Sequence, residues 1–192
     1  MLAAYAGCVA LVADLADLSF PDGAFDLVLC WGVLHHTADP VQHFLRLARL
    51  VTPGGYCKVM VYEVTNHVQE AVTDLLRRIM RSLPPEQRYE ACRHLLFEDQ
   101  VTWATLWPHV YVYRKSADEA TNERNLFACY DCYSPEYNHR FRKEQVILWF
   151  IAAGLTDELT LMRPVVNTGE AAFLYGECGG AIHIRGKRPQ TP

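Results

Sequence analysis

The sequence contains no apolar run of the roughly 18 residues that a membrane-crossing helix requires, so a helical membrane span is not expected. It also lacks an excess of positive charge. Lys and Arg together number 18 against 22 Asp and Glu, a net charge of −4, which offers no electrostatic footprint for nucleic acid or anionic lipid. The apolar stretch over residues 1–12 has no basic flank and runs directly into Asp14, so it does not read as a secretory leader. Seven cysteines make an odd count without regular spacing, which argues against a secreted disulfide framework. Cys30 and Cys57 sit inside apolar runs and read as small buried hydrophobes. A cytoplasmic location is therefore the expectation. There is no internal repeat. Nor is there a strand, glycine-rich turn and helix of the nucleotide-binding type. The nearest candidate, Gly176-Glu177-Cys178-Gly179-Gly180, leads into another strand-like run instead of the helix N-terminus that such a loop needs.

What remains is a chain of 192 residues, half hydrophobic and about a fifth charged, the composition of one soluble globular domain with a sizeable core. Residues 8–13 form a short continuous apolar run, as a buried parallel strand would. The turn chemistry of Phe20-Pro21-Asp22-Gly23 precedes a second strand over 25–30. Asp39 then reads as an N-cap and Pro40 as the first helical residue. Val41, Phe44, Leu45, Ala48 and Val51 follow at helical spacing. Pro53-Gly54-Gly55 is expected to end this helix and turn the chain into a third strand over 56–62. Strand alternating with helix predicts an α/β fold with a parallel sheet.

Residues 64–127 read as a helical insertion too short to own a core. One helix carries Val68, Val72, Leu75, Leu76 and Ile79 up to Pro84-Pro85. A second spans about 86–105, and a polar loop covers 115–125. The remainder, 128–192, returns to α/β: a helix over 143–153 ended by Gly154 in the C-cap region, then strand-like runs over 159–166 and 180–185 that suggest an antiparallel pair. Residues 187–192 read as a frayed tail. The whole is one domain, with 1–63, 64–127 and 128–192 as its three parts.

The most specific signal lies between Asp14 and Tyr62. Asp14-Leu15-Ala16-Asp17 leads through Pro21-Asp22-Gly23-Ala24-Phe25-Asp26 into Leu27-Val28-Leu29-Cys30-Trp31-Gly32-Val33-Leu34-His35-His36-Thr37. Asp39-Pro40 and a helix follow, and then Leu50-Val51-Thr52-Pro53-Gly54-Gly55. This run resembles the second half of the cofactor domain in class I S-adenosylmethionine-dependent methyltransferases of the ubiquinone-methylase-like, type 11 group. The resemblance implies a partial Rossmann-like sheet with a helical insertion and a C-terminal antiparallel strand pair. It implies S-adenosylmethionine as cofactor and a small molecule as methyl acceptor, while the charge balance and the lack of a long apolar run leave no nucleic acid or membrane partner expected. It further implies that Asp14 accepts a hydrogen bond from the adenine amine and that Leu15 offers its backbone N–H to the ring. Cys30, Trp31 and Gly32 would then end the strand near the methionine ammonium, since ligands of such folds lie outside the carboxyl ends of the parallel strands.

His35 and His36 are candidate catalytic bases, histidine being the side chain poised to take a proton near neutral pH. Alternatively one of them packs at the strand end and caps backbone. Adjacent residues point apart, so His35, His36 and Asp39 make a poor metal site. Cys129-Tyr130-Asp131-Cys132 is a lone CxxC with only His139 nearby, too little for zinc, and no metal is expected. The segment from Tyr130 to Arg140 resembles an acceptor-side segment of some methyltransferases of this superfamily, which implies Tyr137, His139 and Arg140 as acceptor contacts. Anchoring of a loop is the competing reading of the same residues.

The family's glycine-rich turn, and the acidic strand end that would hold the ribose, do not occur in this sequence. In the family sheet those strands lie between the one ending near Ala13 and the one ending near Cys30, and their absence would leave strand edges unpaired. Each charge-assisted hydrogen bond lost to the cofactor would cost roughly 1.5–3 kcal/mol. Two hypotheses follow: an N-terminally truncated methyltransferase whose sheet a partner chain could complete, or a non-catalytic methyltransferase-like module or gene fragment unable to bind the cofactor alone.

Overall fold

The computed structural model describes residues 8–65, 67–97, 116–162, 178 and 180–190. Its centre is a strand–helix–strand unit: β1 (Phe25–Trp31), α1 (Pro40–Arg49) and β2 (Val51–Tyr62). β1 and β2 pair in parallel, with Val28 opposite Cys57 and Cys30 opposite Val59. Two further strands, β3 (Asp157–Leu161) and β4 (Ala181–Lys187), extend the sheet in the order β1-β2-β4-β3. β4 runs antiparallel to β2 and to β3. The expected α/β class and the C-terminal antiparallel pair are both present. The expected continuation of the pair over 163–166 lies outside the described residues.

Alternation along the strands fixes what is covered. Val28, Cys30, Cys57, Val59, Val61, Ile182 and Ile184 share one face, buried under Phe44, Leu47 and Ala48 of α1 and Val146, Trp149 and Phe150 of α5 (Lys143–Ala152). Full burial of a side chain such as Phe44 or Phe150 contributes roughly 1.5–3 kcal/mol. Gly186 lets α5 approach this closely, because a Cβ there would lie 2.6 Å from the Phe150 ring. On the opposite face His183 of β4 is buried, whereas β1 is open among the described residues, with Leu27 51% and Leu29 60% exposed.

The local signals explain the helix ends. The Asp39 carboxylate accepts from the Gln42 N–H at 3.1 Å with Pro40 in the first helical position, the cap that the sequence announced. Gly154 takes φ +69° just beyond α5, and the Leu155 N–H closes onto the Phe150 carbonyl, a left-handed C-terminal cap.

Three expectations are corrected. Residues 8–13 form no strand. Val9, Leu11 and Val12 stand in solvent, because an apolar run becomes a strand only against a partner, and none of the described residues supplies one. Pro53-Gly54-Gly55 does not turn the chain. Leu50 caps α1, β2 begins at Val51, and the glycines form an irregularity inside the strand, where a Cβ on Gly55 would lie 2.8 Å from the Asp26 carbonyl oxygen. The polar stretch over 115–125 is not a loop from 119 onward. Asp118 caps α4 (Glu119–Tyr133) by accepting from the Thr121 N–H at 2.9 Å.

α2 (His67–Ser82) and α3 (Pro85–Phe97) follow the predicted insertion, although the expected end of the second helix at 98–105 lies outside the described residues. Val72, Leu76 and Met80 of α2, Cys92, Leu95 and Leu96 of α3, and Leu126, Cys129 and Tyr133 of α4 bury one another in a second apolar cluster. The insertion therefore has a small core, built with residues from the far side of position 127. No helix among the described residues is long and apolar enough to cross a membrane.

Candidate functional site

At the carboxyl end of β1 the chain must turn sharply. Gly32 takes φ +75° and donates its N–H to the Met60 carbonyl at 3.2 Å, a conformation that glycine adopts without steric cost. A single 3-10 turn, Leu34–His36, follows and is closed by Thr37, whose hydroxyl donates to the Leu34 carbonyl at 2.8 Å. This turn places the two histidines differently. His35 is fully buried, stacked on the Tyr62 ring with centroids 3.8 Å apart and edge-on to His36 at 4.2 Å. Burial, reinforced by the neighbouring His36, pushes the His35 imidazole down from 6.5 to about 3. Neither of its ring nitrogens has a hydrogen-bond partner.

His36 sits beside a carbonyl and a carboxylate. Its Nδ1 lies 2.9 Å from the Tyr137 carbonyl oxygen. A carbonyl only accepts, so Nδ1 carries the proton and the neutral ring has its lone pair on Nε2. That Nε2 makes no hydrogen bond and lies 3.8 Å from Asp131 Oδ2. The Tyr62 hydroxyl donates to the same carboxylate oxygen at 3.3 Å. In its imidazolium form the His36 ring, and secondarily the Tyr62 hydroxyl, hold the Asp131 carboxyl below its ordinary value, against the opposing effect of burial. The Asp131 side chain is 48% exposed, so it is the member of this group that solvent, or a ligand, can reach. Tyr62 is pushed far above the ordinary phenol value, chiefly by burial and then by Cys132 and Asp131.

The segment after α4 wraps round this group. The His139 N–H donates to the His35 carbonyl at 2.8 Å and its Nε2 meets the Thr37 carbonyl at 3.1 Å. Arg140 donates to the Glu63 carbonyl at 3.3 Å and lies 5.8 Å from the Tyr62 ring centroid. The buried Glu63 carboxylate accepts from the Cys178 N–H at 2.7 and 2.9 Å and from the Gly180 N–H at 3.2 Å. His35, His36, Tyr137, His139 and Arg140, which the sequence singled out from two distant stretches, thus meet in one place. In this structure the backbone of Tyr137 and His139 makes anchoring contacts.

Three participants were missed in the sequence: Tyr62, Glu63 and Asp131. Tyr62 ends a predicted strand and Glu63 follows it, and their place at its carboxyl end was the available signal. Asp131 was hidden between the cysteines of the CxxC pair. Only the helical course of α4, which buries Cys129 against α3 and turns Asp131 toward His36, reveals it. Among the described residues no group of three His, Cys, Asp or Glu side chains could hold a metal ion.

The residues expected to face a cofactor lie apart from this group. Asp14 is exposed, and one carboxylate oxygen caps the 3-10 turn Leu15–Asp17 by accepting from the Ala16 N–H at 2.8 Å. Arg46 ties the turn to α1 through the Ala16 carbonyl. A cleft of about 440 Å³ lies alongside, lined by Ala16, Leu18, Gln42, Leu45, Arg46 and Arg49. The Cys30 thiol is buried on the covered face, where burial raises it to about 11. The Trp31 ring lies against His183 at 4.7 Å.

An α/β sheet with polar groups gathered at the carboxyl ends of its parallel strands is the architecture of a ligand-binding α/β enzyme fold. Residues 2–59 match the family model described as "Methyltransferase domain". Over this stretch, under a third of the chain, the sequence is similar to methyltransferase domains. Among curated proteins, the chain is 31% identical over 93 residues to a tRNA U34 carboxymethyltransferase of Azotobacter vinelandii, covering 48% of this chain and 26% of that protein. It is 29% identical over 102 residues to probable tRNA methyltransferase 9B of Mus musculus, covering 50% of this chain and 21% of that protein. An uncharacterized methyltransferase of Schizosaccharomyces pombe is 42% identical over 53 residues, 27% of this chain and 19% of that protein. The matches thus span about a quarter or less of these relatives' length. Among solved structures, PKMT2 from Rickettsia typhi superposes with a TM-score of 0.50 at 14% identity, covering 94% of this chain and 38% of that one, which supports the fold.

Proposed function

We propose that this chain carries the acceptor side of an S-adenosylmethionine-dependent methyltransferase for a small-molecule acceptor, with Asp131 and His36 receiving the acceptor's proton. The observation that carries the reading is the half-exposed Asp131 carboxylate backed at 3.8 Å by a His36 nitrogen that has a lone pair and no hydrogen-bond partner. An acceptor O–H or N–H donates to Asp131. As the acceptor is methylated, its proton passes to the carboxylate and on to His36 Nε2. The resulting imidazolium stays paired with Asp131 and keeps its Nδ1–H on the Tyr137 carbonyl. The buried His35, neutral at any working pH, forms the floor against Tyr62 and is not the base. Tyr137, His139 and Arg140 shape this wall.

The fit to the cofactor is partial. Asp14 has a second carboxylate oxygen for an adenine amine, Leu15 follows it, and Cys30, Trp31 and Gly32 end the neighbouring strand. Asp14 and Trp31 are nevertheless exposed, and the sequence has no glycine-rich turn to enclose the rest of the nucleoside. When bound, S-adenosylmethionine would supply an electrophilic methyl group on its sulfonium. The open sheet face, with Leu27, Leu29 and Trp31 exposed, favours completion by further polypeptide. It also leaves room for the second reading, a non-catalytic module of this fold.

Titration calorimetry with S-adenosylhomocysteine separates the two. Binding by the folded chain that weakens at least tenfold in Asp14→Ala supports the enzyme reading. A chain that unfolds cooperatively yet gives no binding heat overturns it for this polypeptide and leaves the binding module.

A further inference from the structure

On the other side of the segment that holds His36 there is a cleft of about 550 Å³, lined by Asp74, Arg77, Arg78 and Arg81 of α2 with Ser82, and by Glu136 and Asn138. Its two walls are tied together by Arg77. That side chain is only 6% exposed and donates to the Cys132 carbonyl at 2.8 Å, to the Pro135 carbonyl at 2.6 Å and to the Glu136 carbonyl at 3.3 Å. Arg77 therefore brings a fixed positive charge to the cleft base while serving as its hinge pin. Arg78 and Arg81 are different. Both are exposed, and neither makes a hydrogen bond or ion pair with any described residue. Two unengaged guanidinium groups on one helix, one turn apart and backed by a third, outnumber the carboxylates of Asp74 and Glu136. A planar fork of donors is the side-chain geometry best matched to phosphate oxygens.

We propose that the Arg78–Arg81 cleft binds a phosphate ester, held by the two guanidinium groups. The segment containing Glu136, Tyr137 and Asn138 forms the cleft wall through its flanking residues and grips His36 through the Tyr137 carbonyl. Binding in the cleft therefore orders the same stretch of chain that sets the His36 tautomer. That the phosphate belongs to the methyl acceptor rests on the methyltransferase reading. The phosphate site itself does not.

Sugar phosphates and RNA backbone share this chemistry, and two probes distinguish them: ribose 5-phosphate and a single-stranded RNA oligonucleotide. Both are titrated into the full chain without cofactor, alongside the double variant Arg78→Gln/Arg81→Gln, whose exposed positions leave the melting temperature unchanged. At least one probe should bind the wild type and weaken tenfold or more in the variant. RNA binding whose salt dependence loses about two phosphate contacts in the variant identifies a nucleic-acid backbone. Binding of ribose 5-phosphate alone identifies a small acceptor. If neither probe binds, or both bind the variant as tightly as the wild type, the proposal is wrong. Because no cofactor is present, this failure is distinct from a failure to bind S-adenosylhomocysteine.

Discussion

Acidification should unfold this protein through His35, and the size of the effect can be worked from its surroundings. The ring is fully buried against Tyr62 and His36, with neither nitrogen hydrogen-bonded, and its pKa falls from 6.5 to about 3. In the unfolded chain the same imidazole takes a proton below about pH 6.5, so the unfolded state binds more protons throughout the window from 6.5 down to 3. Stability then rises with pH and is lost as pH falls. At about 1.4 kcal/mol per pH unit, His35 contributes a loss of about 2 kcal/mol at pH 5 and about 3 at pH 4, levelling near 5 below pH 3. Against the 5–15 kcal/mol that typically separates folded from unfolded domains, this is a large fraction. His35→Phe keeps an aromatic ring on Tyr62 and removes the titrating group. The assay is urea unfolding followed by circular dichroism at pH 7.5 and pH 5.0, for wild type and variant. The wild type should lose about 2 kcal/mol more than His35→Phe between the two pH values, other titrating groups cancelling in the difference. Equal losses in the two proteins would refute the reasoning, because they would mean that His35 is solvated or hydrogen-bonded in the folded state.

Gly186→Ala should cost roughly 1–3 kcal/mol by overpacking, since its Cβ would fall 2.5 Å from the Leu155 carbonyl oxygen and 2.6 Å from the Phe150 ring. A urea midpoint unchanged from wild type would show that α5 does not lie this close to β4. Asp39→Ala removes the cap on the Gln42 N–H and should cost about 1 kcal/mol, read by the same unfolding curve, whereas Asp39→Asn should cost much less.

How far the sequence specified this structure depended on whether a signal was local. Asp39-Pro40 and Gly154 announce helix ends through chemistry contained within a turn, and both ends lie where the sequence put them. The run from Asp14 to Gly55 carried the resemblance to methyltransferase domains. The apolar run over 8–13 misled because its pattern is shared by a buried strand and by a strand whose neighbours are elsewhere. Pairing is a tertiary property that no pattern within six residues encodes. α4 was hidden for the opposite reason. Its first two turns are polar, and the buried residue there is Asn122, so the apolar stripe begins only at Leu126, while Asp118 and Thr121 had already supplied the cap. Missing that helix meant missing Asp131, whose meaning depends on α4 carrying it alongside β2.

The two halves of the site also differ in what fixes them. His36, Tyr62 and Asp131 come from separate parts of the sequence, yet each is bound to its neighbours by contacts within the chain: Tyr137 to His36, His139 to Thr37, Arg140 to Glu63. The proposed acceptor side is thus preorganised by contacts within the chain. The proposed cofactor side is less closed: the Asp14 carboxylate bonds within its own turn, which Arg46 ties to α1. The strand edge and open face beyond it expose Leu27, Leu29 and Trp31, an apolar row that a monomeric sheet would ordinarily cover. Trp31, one of the proposed cofactor contacts, stands on the same face as Leu27 and Leu29. Polypeptide that pairs with the outer edge of β1 and packs over this face would bury all three side chains and bring a wall against Trp31. Affinity for S-adenosylhomocysteine and burial of this face should rise together.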